Sequence, residues 1–198
     1  MTAPDQHDLF GSEEPTPEPA GDGKRQSLFF ALIPPPDSAD RIVAQAAGLK
    51  EQHGLRGKLQ LRERLHISLV SAAEVGGGPM PAEYVSAAQA AAASMRHKPM
   101  DLVLDAALSF GKGAFVLSGA NSPGILSFAK MLKESLKRYG MKPGSASAPH
   151  MTLLYDERHL VKEHPIEPIR WTAANFTLVL SHVGQTQHDH LGTWPLRP

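Results

Sequence analysis

"LHISLV" (residues 65–70) and "PHMTLLY" (149–155) decide how the chain is read. Each holds a histidine, an apolar residue, a hydroxyl residue and a leucine, and the two histidines lie 84 positions apart. Side chains alternate between the faces of a strand. If both stretches are strands, His66 and Ser68 share one face and Ile67 and Leu69 the other. Likewise His150 and Thr152 oppose Met151 and Leu153. The apolar faces require a covering of helices. The polar faces each present an imidazole and a hydroxyl about 7 Å apart to water or a ligand.

Outward from these motifs the sequence alternates short apolar runs with helical stretches. "SLFFALIP" (27–34) reads as a strand closed by prolines. "PDSADRIVAQAAGLKEQHG" (36–54) reads as a helix capped by Asp37 or Ser38 and ending near Gly54. "KLQL" (58–61) is expected to be a short strand before the first motif strand. "AEYVSAAQAAAASMRH" (82–97) is a helix by alanine content. "MDLVLDAALSF" (100–110) and "GAFVLSG" (113–119) form two strands about a Gly-Lys-Gly turn. "SPGILSFAKMLKESLKRYG" (122–140) is an amphipathic helix, and "NFTLVLSHVGQ" (175–185) and "HLGTWPL" (190–196) close the chain as a strand pair. The order β-α-β-β-α-β-β-α-β-β-β predicts an α+β fold with antiparallel sheets. The similar settings of the two motif strands suggest an internal duplication.

Composition narrows the function classes. Of 198 residues 41% are hydrophobic and 20% charged, a balance expected of a soluble globular chain. No run approaches the roughly 18 apolar residues of a membrane span. The first residues lack the basic start and apolar stretch of a secretory signal. There are no cysteines, which excludes disulfides, thiolate metal sites and a cysteine nucleophile and fits a cytoplasmic protein. Residues 1–26 are acidic and rich in proline and glycine, and read as a disordered tail preceding one domain over 27–198. They carry six acids and two bases of the 20 and 20 in the chain, so residues 27–198 hold 18 bases and 14 acids, a net +4. A mildly basic body suits a small anion or an RNA end better than sequence-blind duplex binding. The Gly76–Gly78 run has neither P-loop nor dinucleotide-binding spacing.

Two imidazoles facing one phosphorus can act as general base and general acid, because both titrate near neutrality. The hydroxyls of Ser68 and Thr152 can donate hydrogen bonds to phosphate oxygens as charge builds. Such a set needs neither metal nor cofactor. Taken singly, each motif also suits a half-buried histidine bonded to its own i+2 hydroxyl. A rival metal site on His182, His188 and His190 lacks the helical i, i+4 spacing of histidine ligands.

The chain resembles the 2H phosphoesterase superfamily, in particular its bacterial branch of RNA 2′,3′-cyclic phosphodiesterases, or 2′-5′ RNA ligases. The likeness rests on "SLFFALIP" (27–34), "ERLHISLV" (63–70), "LSFGKGAFVLSG" (108–119), "PHMTLLYD" (149–156) and "FTLVLSHVGQTQHDHLGTWPL" (176–196). It implies a bilobal α+β fold in which two antiparallel sheets line a central cleft, with helices on the outer faces. It implies hydrolysis of 2′,3′-cyclic phosphate ends of RNA or nucleotides to 2′-phosphates, and in some members the reverse 2′-5′ joining. Carried over, His150 deprotonates water, His66 protonates the leaving oxygen, and Ser68 and Thr152 hold the phosphate. Two departures stand out. Many relatives have an arginine shortly before the second motif, where "KPGSASAPH" (142–150) offers only Lys142. A tyrosine common near the C-terminal strand is replaced by His188 or His190, of which His188 is taken as a substrate contact.

One of Phe29 and Phe30 is expected in the core; the other either packs there too or lines the groove, where it could stack on a base, and Phe30 is taken as that substrate contact. Tyr155 follows Met151 and Leu153 and is expected in the core. Lys58, Arg62, Arg64 and Lys112 read first as solvated surface and second as backbone contacts to RNA. The expected partners are RNA ends or small cyclic-phosphate nucleotides, bound by a monomer without a membrane.

Overall fold

The computed structural model describes residues 25–119, 123–144 and 148–198. The expected disordered tail lies outside the described residues save for its last two. Of these, Arg25 pairs with Glu74 at 2.9 Å and Gln26 opens the first strand. The elements are β1 (Gln26–Leu32), α1 (Pro36–Gln52), β2 (Ile67–Val75), α2 (Ala82–Ala93), β3 (Met100–Phe110), β4 (Ala114–Ser118), α3 (Pro123–Arg138), β5 (His150–Tyr155), β6 (His164–Ala173), β7 (Asn175–His182) and β8 (Gln187–Pro195). They form two four-stranded sheets of order β2-β1-β7-β8 and β5-β4-β3-β6, with every pairing antiparallel.

Periodicity explains α1 and α3. Ser38, Ala39, Ile42, Ala46 and Leu49 form the buried stripe of α1, and Ile125, Phe128, Ala129, Leu132 and Leu136 that of α3. Neither Asp37 nor Ser38 caps α1. Pro36 occupies the first helical turn, where its missing N–H costs nothing, and Ser38 is buried. Both helices end in the same way. Gly54 (φ +63°) and Gly140 (φ +79°) take the left-handed conformation just past each helix. The next residues fold back, with Leu55 N donating to Lys50 O at 2.9 Å and Met141 N to Leu136 O at 3.1 Å. In each case the residue after the glycine, Leu55 or Met141, is buried.

Two expectations about strands fail for physical reasons. "KLQL" is not a strand; its residues approach β2 irregularly through a one-turn 3₁₀ helix at Arg62–Arg64. β6 was not expected; it carries Pro165 and Pro168, which cannot donate to a ladder. As the edge strand beside β3 it has one side free of ladder bonds, so the missing N–H groups are tolerated.

The motif strands β2 and β5 are the edge strands of their sheets. Each carries a β-bulge at the leucine of its motif. Phe30 and Ala31 oppose Val70 and Ser68, leaving Leu69 unpaired, while Phe115 and Val116 oppose Leu154 and Thr152, leaving Leu153 unpaired. The lead-in to each motif strand bonds to the other one. Gln60 N donates to Leu153 O at 2.7 Å and Gly144 N to Ser71 O at 2.9 Å, each donor six residues before its histidine. These matched bulges, helix ends and exchanged bonds make β1-α1-β2 and β4-α3-β5 structural repeats. Their apolar faces merge into one core that includes Ile67, Leu69, Met151 and Leu153.

Candidate active site

Burial of the flanking side chains fixes where the histidines point. Leu65 and Ile67 are buried on either side of His66, and Met151 is buried after His150, so the intervening ring must turn to the opposite face. Both rings are then held alike. His66 Nδ1 donates to the carbonyl of Arg64 at 2.7 Å, and His150 Nδ1 donates to the carbonyl of Ala148 at 2.8 Å. A carbonyl only accepts, so Nδ1 carries the proton and Nε2 of each ring is left to exchange one.

His66, Ser68, His150, Thr152 and His188 line one cleft of about 400 Å³. Gln60, Arg64, Phe29, Tyr155 and a group of hydroxyls from Ser27, Ser71 and Ser181 also line it, with Leu69, Val70 and the acid Glu74. His66 lies 5.1 Å from Phe29 and 5.3 Å from His188, measured between ring centres. On the other side Phe110 meets His150 edge-on at 4.9 Å. Arg64 donates through Nη2 to His188 Nε2 at 3.3 Å, which makes His188 the Nδ1–H tautomer while that bond stands. The Nε–H of Arg64 is buried without an acceptor.

Electrostatics favour neutral rings in this cleft. Burial pushes His66 below the ordinary histidine value, the Arg64 carbonyl opposes this, and the charges of Arg64, His150 and His190 add to the lowering. Burial also lowers His150 against the opposing bond to Ala148. His188 falls to about 4, through burial first and then the charges of His66 and Arg64. A bound phosphate reverses the balance, because a nearby anion favours the imidazolium.

Phe30 does not reach the cleft. It is fully buried against Phe176 and Trp194, at 5.8 and 6.1 Å. Phe29 faces the cleft instead, in a small apolar group with Ala31 and Val179. Tyr155 is not core either. The bulge at Leu153 shifts the alternation by one residue, so Leu153 and Leu154 are both buried and Tyr155 emerges beside Thr152, 59% exposed. Arg64, read first as solvated surface and second as a backbone contact to RNA, lies in the cleft.

The metal reading meets different geometry. His182 lies on the core-side face of β7, donates to Asp189 at 2.7 Å and meets Gln26 at 3.1 Å. His188 lies opposite Ser181 on the cleft face. Among the described residues no group of three or more potential ligands is arranged to hold a metal. A larger concavity of about 690 Å³ lies elsewhere, between the end of α1 and the start of β6. Its two close imidazoles, His53 and His164, satisfy each other at 3.3 Å, and His164 Nδ1 donates to Lys162 O at 3.1 Å. That concavity lacks the paired histidine and hydroxyl set of the cleft.

Among the described residues no helix is long and apolar enough to cross a membrane. No curated protein matches the chain significantly. Solved structures do. LigT of E. coli in its apo form is 25% identical, superposes with a TM-score of 0.71, and matches 89% of this chain and 100% of its own. LigT complexed with 3′-AMP is also 25% identical over 89% of this chain and all of its own, with a TM-score of 0.66. A Thermus thermophilus protein shares the fold at 19% identity and a TM-score of 0.66, over 86% of this chain and 98% of its own. A profile of the 2′-5′ RNA ligase superfamily matches residues 34–185, a span that contains both histidine motifs. The chain therefore belongs to the 2′-5′ RNA ligase superfamily.

Proposed function

We propose that the protein hydrolyses 2′,3′-cyclic phosphate ends of RNA or nucleotides to 2′-phosphates without a metal ion, and joins such ends to a 5′-hydroxyl through a 2′-5′ bond when that hydroxyl replaces water. The observation that carries this reading is the matched pair of rings. His66 and His150, one from each structural repeat, are both fixed through Nδ1 by a carbonyl and both leave Nε2 facing one cleft. That LigT forms a complex with 3′-AMP supports a nucleotide as the kind of ligand.

In this mechanism water attacks phosphorus and gives its proton to Nε2 of neutral His150. The bond from phosphorus to O3′ breaks, and Nε2–H of protonated His66 donates to that oxygen. Ser68 and Thr152 hold non-bridging oxygens, and the buried Nε–H of Arg64 supplies a charge-assisted bond to the same group. The phosphate anion raises the neighbouring imidazole, so substrate binding itself loads the acid. Phe29 and His188 offer a ring surface for the base. Ligation runs the same steps with a 5′-hydroxyl in place of water: His150 takes its proton, the bond from phosphorus to O5′ forms and that to O3′ breaks with a proton from His66. The two histidines exchange roles only when a 2′-5′ bond is cleaved back to the cyclic phosphate.

The test is turnover of a 2′,3′-cyclic nucleotide in excess EDTA, followed by chromatography of the 2′-phosphate product. Loss of turnover in both His66→Ala and His150→Ala supports the reading. Tight binding without product in the unaltered protein would reduce it to a binding module, and activity that EDTA abolishes and zinc restores would refute the metal-free mechanism.

A further inference from the structure

Three chain segments meet around one buried carboxylate at the Tyr155 end of the cleft. Asp156 Oδ2 accepts from Arg56 N at 2.7 Å, and Oδ1 accepts from Arg158 N at 3.0 Å and His159 N at 3.2 Å. Asp156 N in turn donates to Gly113 O at 2.8 Å, drawing in the Gly111–Gly113 turn. These bonds hold Asp156 at about 2, far below its usual value, chiefly through the Arg56 amide. Only the backbones of Arg56 and Arg158 are used; both side chains are exposed, outside the cleft lining itself, and Arg158 also lines the larger concavity by the end of α1. Lys58 is exposed as well, next to Gly57, whose Cα lies against the Tyr155 carbonyl. Lys112, also exposed, stands on the turn. Among the described residues no side-chain ion pair engages Arg56, Lys58 or Arg158, and Glu157 is the acid beside them in sequence. The opposite end of the cleft differs: there Arg25 and Glu74 pair with each other, leaving Lys142 near Gly144.

From this placement we propose that Arg56, Lys58 and Arg158 form a rim that holds the phosphate backbone of a single RNA strand as it leaves the cleft over Tyr155. Asp156 assembles the rim without pairing with its side chains, because its oxygens are taken up by backbone N–H groups and by the His159 ring at 3.2 Å. A mononucleotide ends inside the cleft and does not reach the rim; a strand does. The inference rests on the proposed activity for the identity of the substrate, but its surface is testable without turnover.

The experiment compares a cyclic mononucleotide with a ten-nucleotide RNA ending in a 2′,3′-cyclic phosphate. It uses the full chain and the triple variant Arg56→Gln, Lys58→Gln, Arg158→Gln. Three neutralised phosphates at a slope of about −0.7 each predict a roughly 20-fold loss of kcat/KM for the RNA between 50 and 200 mM salt. The triple variant should lose most of that dependence and at least tenfold of kcat/KM for RNA at 50 mM salt. For the mononucleotide it should stay within twofold. Anisotropy of the same RNA lacking the cyclic phosphate gives a second readout. If no cyclic phosphate is hydrolysed yet the variant loses RNA binding, the rim stands and the activity falls. If hydrolysis proceeds but RNA and mononucleotide respond alike to the variant, the rim is refuted. Equal competition by polyglutamate of matched charge would also overturn the assignment to RNA.

Discussion

A methyl group at Gly57 tests whether the lead-in segments govern the site. An alanine Cβ there would sit 2.1 Å from the Tyr155 carbonyl oxygen and 2.9 Å from its carbon. The obstacle is backbone, so no rotamer change relieves it. Restoring ordinary contact near 3.4 Å requires the segment and β5 to part by a little over 1 Å. The nearby Gln60 N to Leu153 O bond, now 2.7 Å, would stretch past hydrogen-bonding distance. Overpacking costs typically 1–3 kcal/mol and a lost hydrogen bond about 1. A total of roughly 2–4 kcal/mol lowers Tm by about 5–15 °C for a domain of this size. Because β5 carries His150 and Thr152, displacement by about 1 Å should also reduce kcat by up to 100-fold. Thermal melting and steady-state kinetics at a temperature where the variant is fully folded measure the two effects separately. A Gly57→Ala protein melting within 2 °C of the parent, with unchanged kcat, would refute the account of how the motif strands are held.

The remaining predictions concern the rings. Single His66→Ala and His150→Ala changes should each lower kcat by about 10²–10⁴, and the double variant should fall little further, because the two act as one unit. The pH profile of kcat/KM should be bell-shaped with its optimum on the acid side of 6.5, because both histidines are held below their ordinary value; a flat profile from pH 5 to 8 contradicts the pairing. The same depression makes the unfolded chain bind more protons than the folded one below pH 6.5. The stabilisation is therefore complete above 6.5 and is lost as pH falls towards the His188 value of about 4. Urea midpoints should drop over that window, and less so in His188→Asn. Phe30→Ala should cost about 3–5 kcal/mol of stability, read by urea unfolding. Phe29→Ala should chiefly raise KM for the nucleotide.

What could be read from the sequence was whatever depended on local periodicity. The stripe of α3, that of α1 apart from the exposed Ala47 and half-buried Val43 also expected on it, and the alternation in "HISL" and "HMTL" fell on the faces expected, because burial of Ile42, Leu132, Ile67 and Met151 follows from spacing alone. Features set by pairing partners were not readable. A bulge adds a residue without leaving a composition signal, so Tyr155 was assigned to the wrong face. Phe29 and Phe30 are equivalent until the sheet has a covered side, and only the aromatic contacts with Phe176 and Trp194 decide between them. β6 depends on its edge position to accommodate two prolines, a property of the sheet rather than of the segment. Arg64 enters the site by its place in space beside His188, 124 residues away along the chain.

The reciprocal bonds from Gln60 to Leu153 and from Gly144 to Ser71 cross from one half of the molecule to the other in both directions. With a core common to both halves, they leave no axis about which the two sheets can swing apart without rupturing a clasp on one side or the other. These ties make the cleft a slot rather than a jaw: under the proposed function, its width would be set before a substrate arrives.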